Sequence, residues 1–342
     1  MIGTRDAILE HYRYEFAEGV DLSAADLEPF FDSLLTETDE QLLVELLSLW
    51  HAKGITEEEL FGLAALMRSR MTRIHPDAET VVDIVGTGGS RAKTFNVSTT
   101  AALVAAGASV TVAKHGNRAA TSNSGSSDVL STLGVNADVP SELAERCLNE
   151  IGICFMFAPR FHSLSAPLAA ARKKFGRPTI FNVLGPMCNP AGAAHQLIGV
   201  WDHDILDLQA AVLARLGTDR SWIVHGSNGL DEITLGETLV AEIDRTGIKQ
   251  FLIDSSDFGL TAHDRDLPFA RCPAESADLI EAVLKNHMED SSAEHLVLVN
   301  SAAAIYIAGR AVDLCEGLEM ARESIRSGNA LAKLNALRKA TV

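Results

Sequence analysis

Through the first 72 residues, apolar side chains recur at the three-and-four spacing of one helix face, as in Leu42, Leu43, Leu46, Leu47 and Trp50. No stretch there alternates as a strand does, so the opening is expected to be all helical. Thr56 with Glu59 has the form of a capping box ahead of Leu60, Leu63, Ala64 and Met67, which predicts a helix over 56–72. His75, Pro76 and Asp77 break the pattern, and a short apolar run at 81–85 ends in a glycine cluster. From there the chain alternates. Short buried strands are expected at 110–113, Ile153–Phe157, 197–201 and 221–224. Helical patterns lie between them at 98–106, Ser141–Ile151 and 204–216, with another at 164–175 and a Gly-, Pro- and Asn-rich stretch at 179–190. Strands alternating with helices imply an α/β fold, a mostly parallel sheet covered by helices, behind a small helical domain.

At 342 residues the chain has room for roughly two domains of about 150 residues each. Hydrophobic residues make up 47% and charged residues 22%, the usage of a folded globular protein. Lys and Arg number 29 against 46 Asp and Glu, and the resulting charge of −17 disfavours nucleic acid as a partner. One local site for a small phosphorylated ligand remains compatible with that field. Five cysteines without a CxxC pair suggest reduced, mostly buried thiols and no structural zinc. Arg5, Asp6, Glu10 and Glu15 interrupt the opening where a signal peptide needs an apolar run, and nowhere do about 18 apolar residues follow one another. A cytoplasmic location without membrane contact is the expectation.

Three segments carry chemistry. The first, DIVGTGGSRAKTFNVST at 83–99, places Gly86, Gly88 and Gly89 after a strand and Thr94, Asn96, Ser98 and Thr99 before a helix. Glycines admit phosphate oxygens close to the backbone, and the free amides of the helix start point at negative charge. A plain tight turn has the same glycines. The second, KHGNRAATSNSGS at 114–126, supplies Lys114 and Arg118 as local cations, with Asn117, Thr121, Ser122, Ser124 and Ser126 as compact donors. A solvated loop is the bland alternative. The third, Gly229 to Glu232, sets Asp231 beside Glu232 beyond a strand end, a donor pair for Mg²⁺ or simply a solvated turn.

Taken together and in this order, these segments, with FAPRFHSLSAPLAAARKKFG, TIFNVLGPMCNPAG and HGSNGLDE, resemble the anthranilate phosphoribosyltransferases of tryptophan biosynthesis along almost the whole chain. The resemblance implies the fold of the nucleoside phosphorylase-like phosphoribosyltransferases. A helical domain at 1–76, with a return segment at 163–190, would hinge on an α/β domain at 77–162 and 191–342. A homodimer through the helical domain is implied too. The implied reaction moves the 5-phosphoribosyl group from phosphoribosyl pyrophosphate (PRPP) to the amine of anthranilate with Mg²⁺, and no covalent nucleophile is needed. Contacts to PRPP and anthranilate would fall on Gly86, Gly89, Ser90, Thr94, Asn96, Val97, Ser98 and Thr99. They continue along the second segment on Lys114, His115, Gly116, Asn117, Arg118, Ala119, Ala120, Thr121, Ser122 and Ser126. Arg172 would face the anthranilate carboxylate, and Ser98, Asp231 and Glu232 would hold the metal. His115 and His162 are each either an acceptor for the proton released after attack or a structural histidine.

Three positions depart from the family pattern. Ser90 stands where the glycine loop normally ends in Asp, Asn123 where Lys is usual, and Phe161 precedes His162 where a His-His pair is usual. The last is expected to alter the wall of the aromatic-acid channel. These departures leave two rivals open, a paralogue that uses another aromatic amine and a non-catalytic binding protein. A pentosyl phosphorylase is disfavoured by the KHGNR and GLDE segments.

Overall fold

The computed structural model describes residues 5–89, 94–118, 124–264 and 266–342. Its front is helical: α1 (Arg5–Ala17), α2 (Leu27–Thr36), α3 (Glu40–Lys53) and α4 (Glu57–Arg70). The capping box of α4 is formed, the Glu59 amide donating to Thr56 Oγ1 at 3.3 Å and the Thr56 amide to Glu59 Oε2 at 3.0 Å. Glu59 is fully enclosed. Its carboxylate also accepts from the Leu22 amide and Trp50 Nε1 and pairs with Lys53, so the buried charge is compensated.

Behind these helices lies one seven-stranded sheet, built from β1 (Val82–Gly86), β2 (Val112–Gly116), β3 (Ile153–Phe157), β4 (His195–Gly199), β5 (Arg220–Gly226), β6 (Thr238–Asp244) and β7 (Gly247–Ile253). The spatial order is β3-β2-β1-β4-β5-β6-β7. The first five strands run parallel, and β6 and β7 form an antiparallel hairpin at the edge. The chain leaves β1 to one side for β2 and returns to its other side as β4, so a crevice opens at the carboxyl ends of β1 and β4. Successive strand residues face opposite layers. Ile84, Leu197 and Trp222 belong to one apolar cluster and Val85, Ile198 and Ile223 to the other, as expected of strands buried on both faces.

Helices fill both layers: α5 (Val97–Gly107), α6 (Ser126–Thr132), α7 (Ser141–Ile151), α8 (Ala158–His162), α9 (Ala166–Phe175), α10 (Ile180–Met187), α11 (His203–Leu216), α12 (Pro273–Leu284), α13 (Ser292–Ile307), α14 (Leu314–Arg326) and α15 (Asn329–Ala340). Residues of α1 to α4 share one cluster with α9, α10 and α11 and one face of the sheet. Two arginines tie front to back. Arg68 of α4 donates to the carbonyls of Met187 and Leu216, and Arg215 of α11 pairs with Glu57 and Glu58 while its guanidinium lies 4.0 Å from the Phe61 ring centre. Among the described residues no helix is long and apolar enough to cross a membrane, and all five cysteines are free.

Some expectations shift. The second strand does not stop at Ala113 but runs on through Lys114, His115 and Gly116, each paired in register with β3. The stretch at 179–190 contains a helix, α10, with Pro186 inside it, and the β6–β7 hairpin lies where no strand was expected.

Every residue of α5 except Ser98 is buried, and at its end Gly107 meets α15 so closely that an added Cβ would sit 2.6 Å from the Ala330 amide nitrogen. Gly107→Ala should therefore destabilise the chain by about 1–3 kcal/mol in denaturant unfolding, because backbone rather than a flexible side chain must yield. A cost below about 0.5 kcal/mol would mean that α15 is loosely docked.

Candidate active site

The carboxyl ends of β1, β2 and β4 open into a cleft of about 280 Å³. One wall is the loop after β1. Gly88 and Gly89 have φ of +64° and +88°, and the Gly88 amide donates to Asp231 Oδ2 at 3.1 Å. The loop carrying Asp231 crosses the strand ends because two glycines lie beneath it. A Cβ on Gly199 would sit 1.6 Å from the Asp231 carbonyl oxygen, and one on Gly86 would sit 2.8 Å from Asp231 Oδ2. Glu232 follows, half-buried, accepting from the Ser98 amide at the start of α5 at 3.3 Å and from Thr94 Oγ1 at 3.4 Å. Burial, with Asp231 beside it, pushes the Glu232 carboxyl well above its usual range.

The floor carries the counter-charge. Lys114, 4% exposed, donates to the carbonyl of Ile84 at 2.5 Å and to Ser98 Oγ at 3.4 Å. Burial lowers it to about 8 against the opposing pull of Asp83 and Glu232, so it is charged at pH 7. Asp83, fully enclosed on β1, accepts from the His115 amide at 3.1 Å and from Asn189 Nδ2 at 2.7 Å, and burial raises it to about 6. Asn189 also donates to the Ala113 carbonyl, which fixes β2 against β1.

The opposite wall comes from α8, α9 and α10. His162 Nε2 lies 3.1 Å from His115 Nε2. The His115 ring also bonds the Gly185 carbonyl, which leaves its Nε2 as acceptor and makes His162 the donor. Both imidazoles are held neutral by burial, His162 down to about 4. Arg172, in the last turn of α9, has its guanidinium 5.2 Å from the Phe181 ring centre, is lowered by burial to about 10 and stays charged. Arg172 Nε and His162 Nδ1 are buried without a partner among the described residues. A guanidinium with an unpaired donor beside an aromatic ring suits a carboxylate on an aromatic body.

The comparisons agree with this chemistry. A family model described as "Glycosyl transferase family, a/b domain" matches residues 78–331. An anthranilate phosphoribosyltransferase of Natronomonas pharaonis is 42% identical over 332 residues, 97% of this chain and 99% of that one. The chain belongs to the anthranilate phosphoribosyltransferases. Among solved structures of this family, the Saccharomyces cerevisiae enzyme in complex with PRPP and Mg is similar with a TM-score of 0.88, 29% identity and coverage of 98% of both chains. The same yeast enzyme in complex with 4-fluoroanthranilate has a TM-score of 0.86 at 28% identity, covering 99% of this chain and 98% of that one.

Of the residues carried over from the phosphoribosyltransferase motifs, Gly86, Gly89, Thr94, Asn96, Ser98, Lys114, His115, Gly116, Asn117, Arg118, Ser126, Arg172, Asp231 and Glu232 line the cleft. Val97 and Thr99 are enclosed on α5 and do not line it. Ser90, Ala119, Ala120, Thr121, Ser122 and Asn123 lie outside the described residues. Asn96 faces the cleft while also accepting from Ser124 Oγ and Ser276 Oγ, each at 2.8 Å. Phe161 requires a correction: it is 1% exposed, packed in the core, and forms no part of the wall that His162 lines. Sequence reasoning missed Asp83, Asn189, Thr87 and Asn182. Asn182 donates from Nδ2 to the Thr87 carbonyl and accepts from the Thr179 amide, bracing the glycine loop. Its signal was a lone amide in the apolar run TIFNVLGP. Adjacent half-buried carboxylates on a turn, the charge on Glu232 disfavoured by Asp231 beside it, with a hydroxyl at Ser98, form an all-oxygen donor set that fits Mg²⁺.

The neutral histidines carry a pH signature. In the unfolded chain an imidazole protonates near 6.5, whereas folded His162 does so only near 4. Between these values the unfolded state binds more protons, so stability falls as pH drops from 6.5 to 4. In denaturant titrations, His162→Gln should reduce that slope by up to about 1.4 kcal/mol per pH unit. An unchanged slope would mean that the folded imidazole titrates like a solvated one.

Proposed function

We propose that the chain transfers the 5-phosphoribosyl group of PRPP to the amine of anthranilate, releasing pyrophosphate and forming N-(5-phosphoribosyl)anthranilate for tryptophan biosynthesis. The carrying observation is that one cleft joins an anion-binding half, at the glycine loop, the α5 start and Lys114, to an aromatic-acid half, at Arg172 and Phe181. Related yeast structures in complex with PRPP and Mg, and with 4-fluoroanthranilate, support these two ligand classes.

In this reading the glycine loop at Gly88 and Gly89 and the start of α5 face the diphosphate, and Lys114 faces the oxygen that leaves C1 of the ribose. Arg172 takes the anthranilate carboxylate, and Phe181 stacks beside its ring. The chain's task is to hold donor and acceptor in line, which converts an encounter of two molecules into a step within one complex. An arylamine is uncharged at pH 7, so no residue need remove a proton before attack. The neutral pair His115–His162 keeps the acceptor wall free of a second positive charge that would compete for the diphosphate. Asp231, Glu232 and Ser98 would hold Mg²⁺, which when bound supplies charge neutralisation to the departing pyrophosphate.

The helices at 1–76 with 163–190 form the moving part in this reading, rocking about the contacts of Arg68 and Arg215, so that closure brings Arg172 over the glycine loop. A homodimer through the helical front fits Tyr14 on α1, which is 64% exposed. A cytoplasmic setting fits five free thiols.

The test follows loss of anthranilate fluorescence after PRPP is added. Loss should require Mg²⁺ and stop with chelator. Replacing both acids, Asp231→Asn with Glu232→Gln, should lower kcat about 100-fold or more. Arg172→Lys should raise KM for anthranilate about tenfold with a smaller change in kcat, because a point charge does not replace a planar fork. Unchanged turnover in the double variant would place the metal elsewhere, and no loss in the wild type would direct the search to other aromatic amines. Turnover in the wild type equal to that of Ser90→Asp would show that Ser90 is tolerated at the loop end.

A further inference from the structure

A second cavity of about 240 Å³ lies on the far side of the glycine loop, between the carboxyl end of α3 and the turn from β4 into α11. Its body is largely apolar, walled by Trp50, Ile55, Ile180, Trp201 and Ile205. Its rim is acidic, because Asp202 and Asp204 border it and both are exposed. Of the basic groups at its edge, Lys53 is already committed to Asp21 and Glu59, His203 lies 3.9 Å from Asp204, His51 is on the lining and Arg177 is exposed beside Pro178. Two exposed carboxylates beside an indole-lined wall favour a small molecule with an aromatic body and a protonated amine over one with a carboxylate.

Two of its walls touch the catalytic loop directly. Gly89 packs against Pro178 and Trp201, since a Cβ there would lie 2.8 Å from Pro178 Cγ and 3.4 Å from the indole. A third wall residue, Thr179, is braced by Asn182, which holds the Thr87 carbonyl and contacts Arg172. An occupant thus presses on the residues that set Thr87, Gly89 and Arg172. We propose that this cavity is an effector site for a small aromatic ammonium ion, whose binding changes the grip of the glycine loop on the diphosphate. The coupling half rests on the reading of the main cleft as the PRPP site.

The chain offers its own reporter, because two of its three tryptophans line the cavity and the third, Trp222, is enclosed in the core. The probe is 2-phenylethylamine as its cation, with phenylacetate as the anionic control, titrated against tryptophan emission of the full chain. Saturable change is expected with the amine, at least about tenfold tighter than with phenylacetate. Asp202→Asn keeps a side chain able to cap α11 but removes the charge, and should weaken the amine about fivefold. Saturating amine should shift the Kd for PRPP at least about twofold, and PRPP should shift the affinity for the amine by the same factor. Equal affinity for phenylacetate, or no loss in Asp202→Asn, overturns the site. Binding that competes with anthranilate also overturns it, and binding without any shift for PRPP overturns the coupling. The emission titration needs no turnover, so failure of the proposed reaction is distinguishable from failure of this site.

Discussion

An ammonium group enclosed between two carboxylates is the constraint that organises the rest. Removing Lys114 from water costs several kcal/mol unless opposite charge and hydrogen bonds surround it. The Ile84 carbonyl and Ser98 hydroxyl supply the bonds, and Asp83 and Glu232 supply the field. Each carboxylate needs holding in turn. Asn189 and the His115 amide grip Asp83, while Ser98 and Thr94 grip Glu232. Five segments of the chain are thereby tied to one another at the carboxyl ends of β1 and β2.

The aromatic half is built differently. It hangs from α8, α9 and α10, of which α9 and α10 join the helical front in one apolar cluster while Phe161 of α8 packs in the other, and these helices contribute the imidazole of His162, a phenyl ring and one guanidinium. The division follows the strand order, since the return from β3 to β4 must cross over the sheet and carries these helices across the crevice. Rigid charge therefore sits on the sheet, while the acceptor wall sits on helices that also belong to the front of the molecule.

Much of this was legible in the sequence because burial leaves a pattern. An unbroken apolar run marks β3, a run interrupted only by Asp83 marks β1, and Thr56 with Glu59 marks the start of α4. What escaped has physical causes. Lys114 and His115 resemble the beginning of a loop, yet strand pairing with β3 continues through them because their polar atoms find partners inside. The hairpin of β6 and β7 lacks an unbroken apolar run. β6 buries alternate residues while Glu242 bonds Arg220 and Trp222 across the ladder, and β7 is largely exposed. Gly185 and Pro186 suggest a loop, but α10 runs on through Pro186 to Met187, and the Pro186 carbonyl accepts from Gln196 Nε2 at 2.7 Å. Phe161 illustrates the limit of reading by position, since it and His162 are neighbours on one short helix that face opposite ways.

The burial of α5 has a consequence for how the chain comes to be made. This helix is the first crossover of the sheet, yet it is covered by α13, α14 and α15, synthesised some 200 residues later. Until those helices emerge, a segment of small apolar residues in the first third of the nascent chain has only the nearby strands β1 to β3 to pack against, and its outer side stays uncovered. Folding of the sheet core is accordingly a late event, committed only when nearly the whole polypeptide has left the ribosome. During that interval the exposed α5 is a natural point of capture for chaperones and of association between unfinished chains.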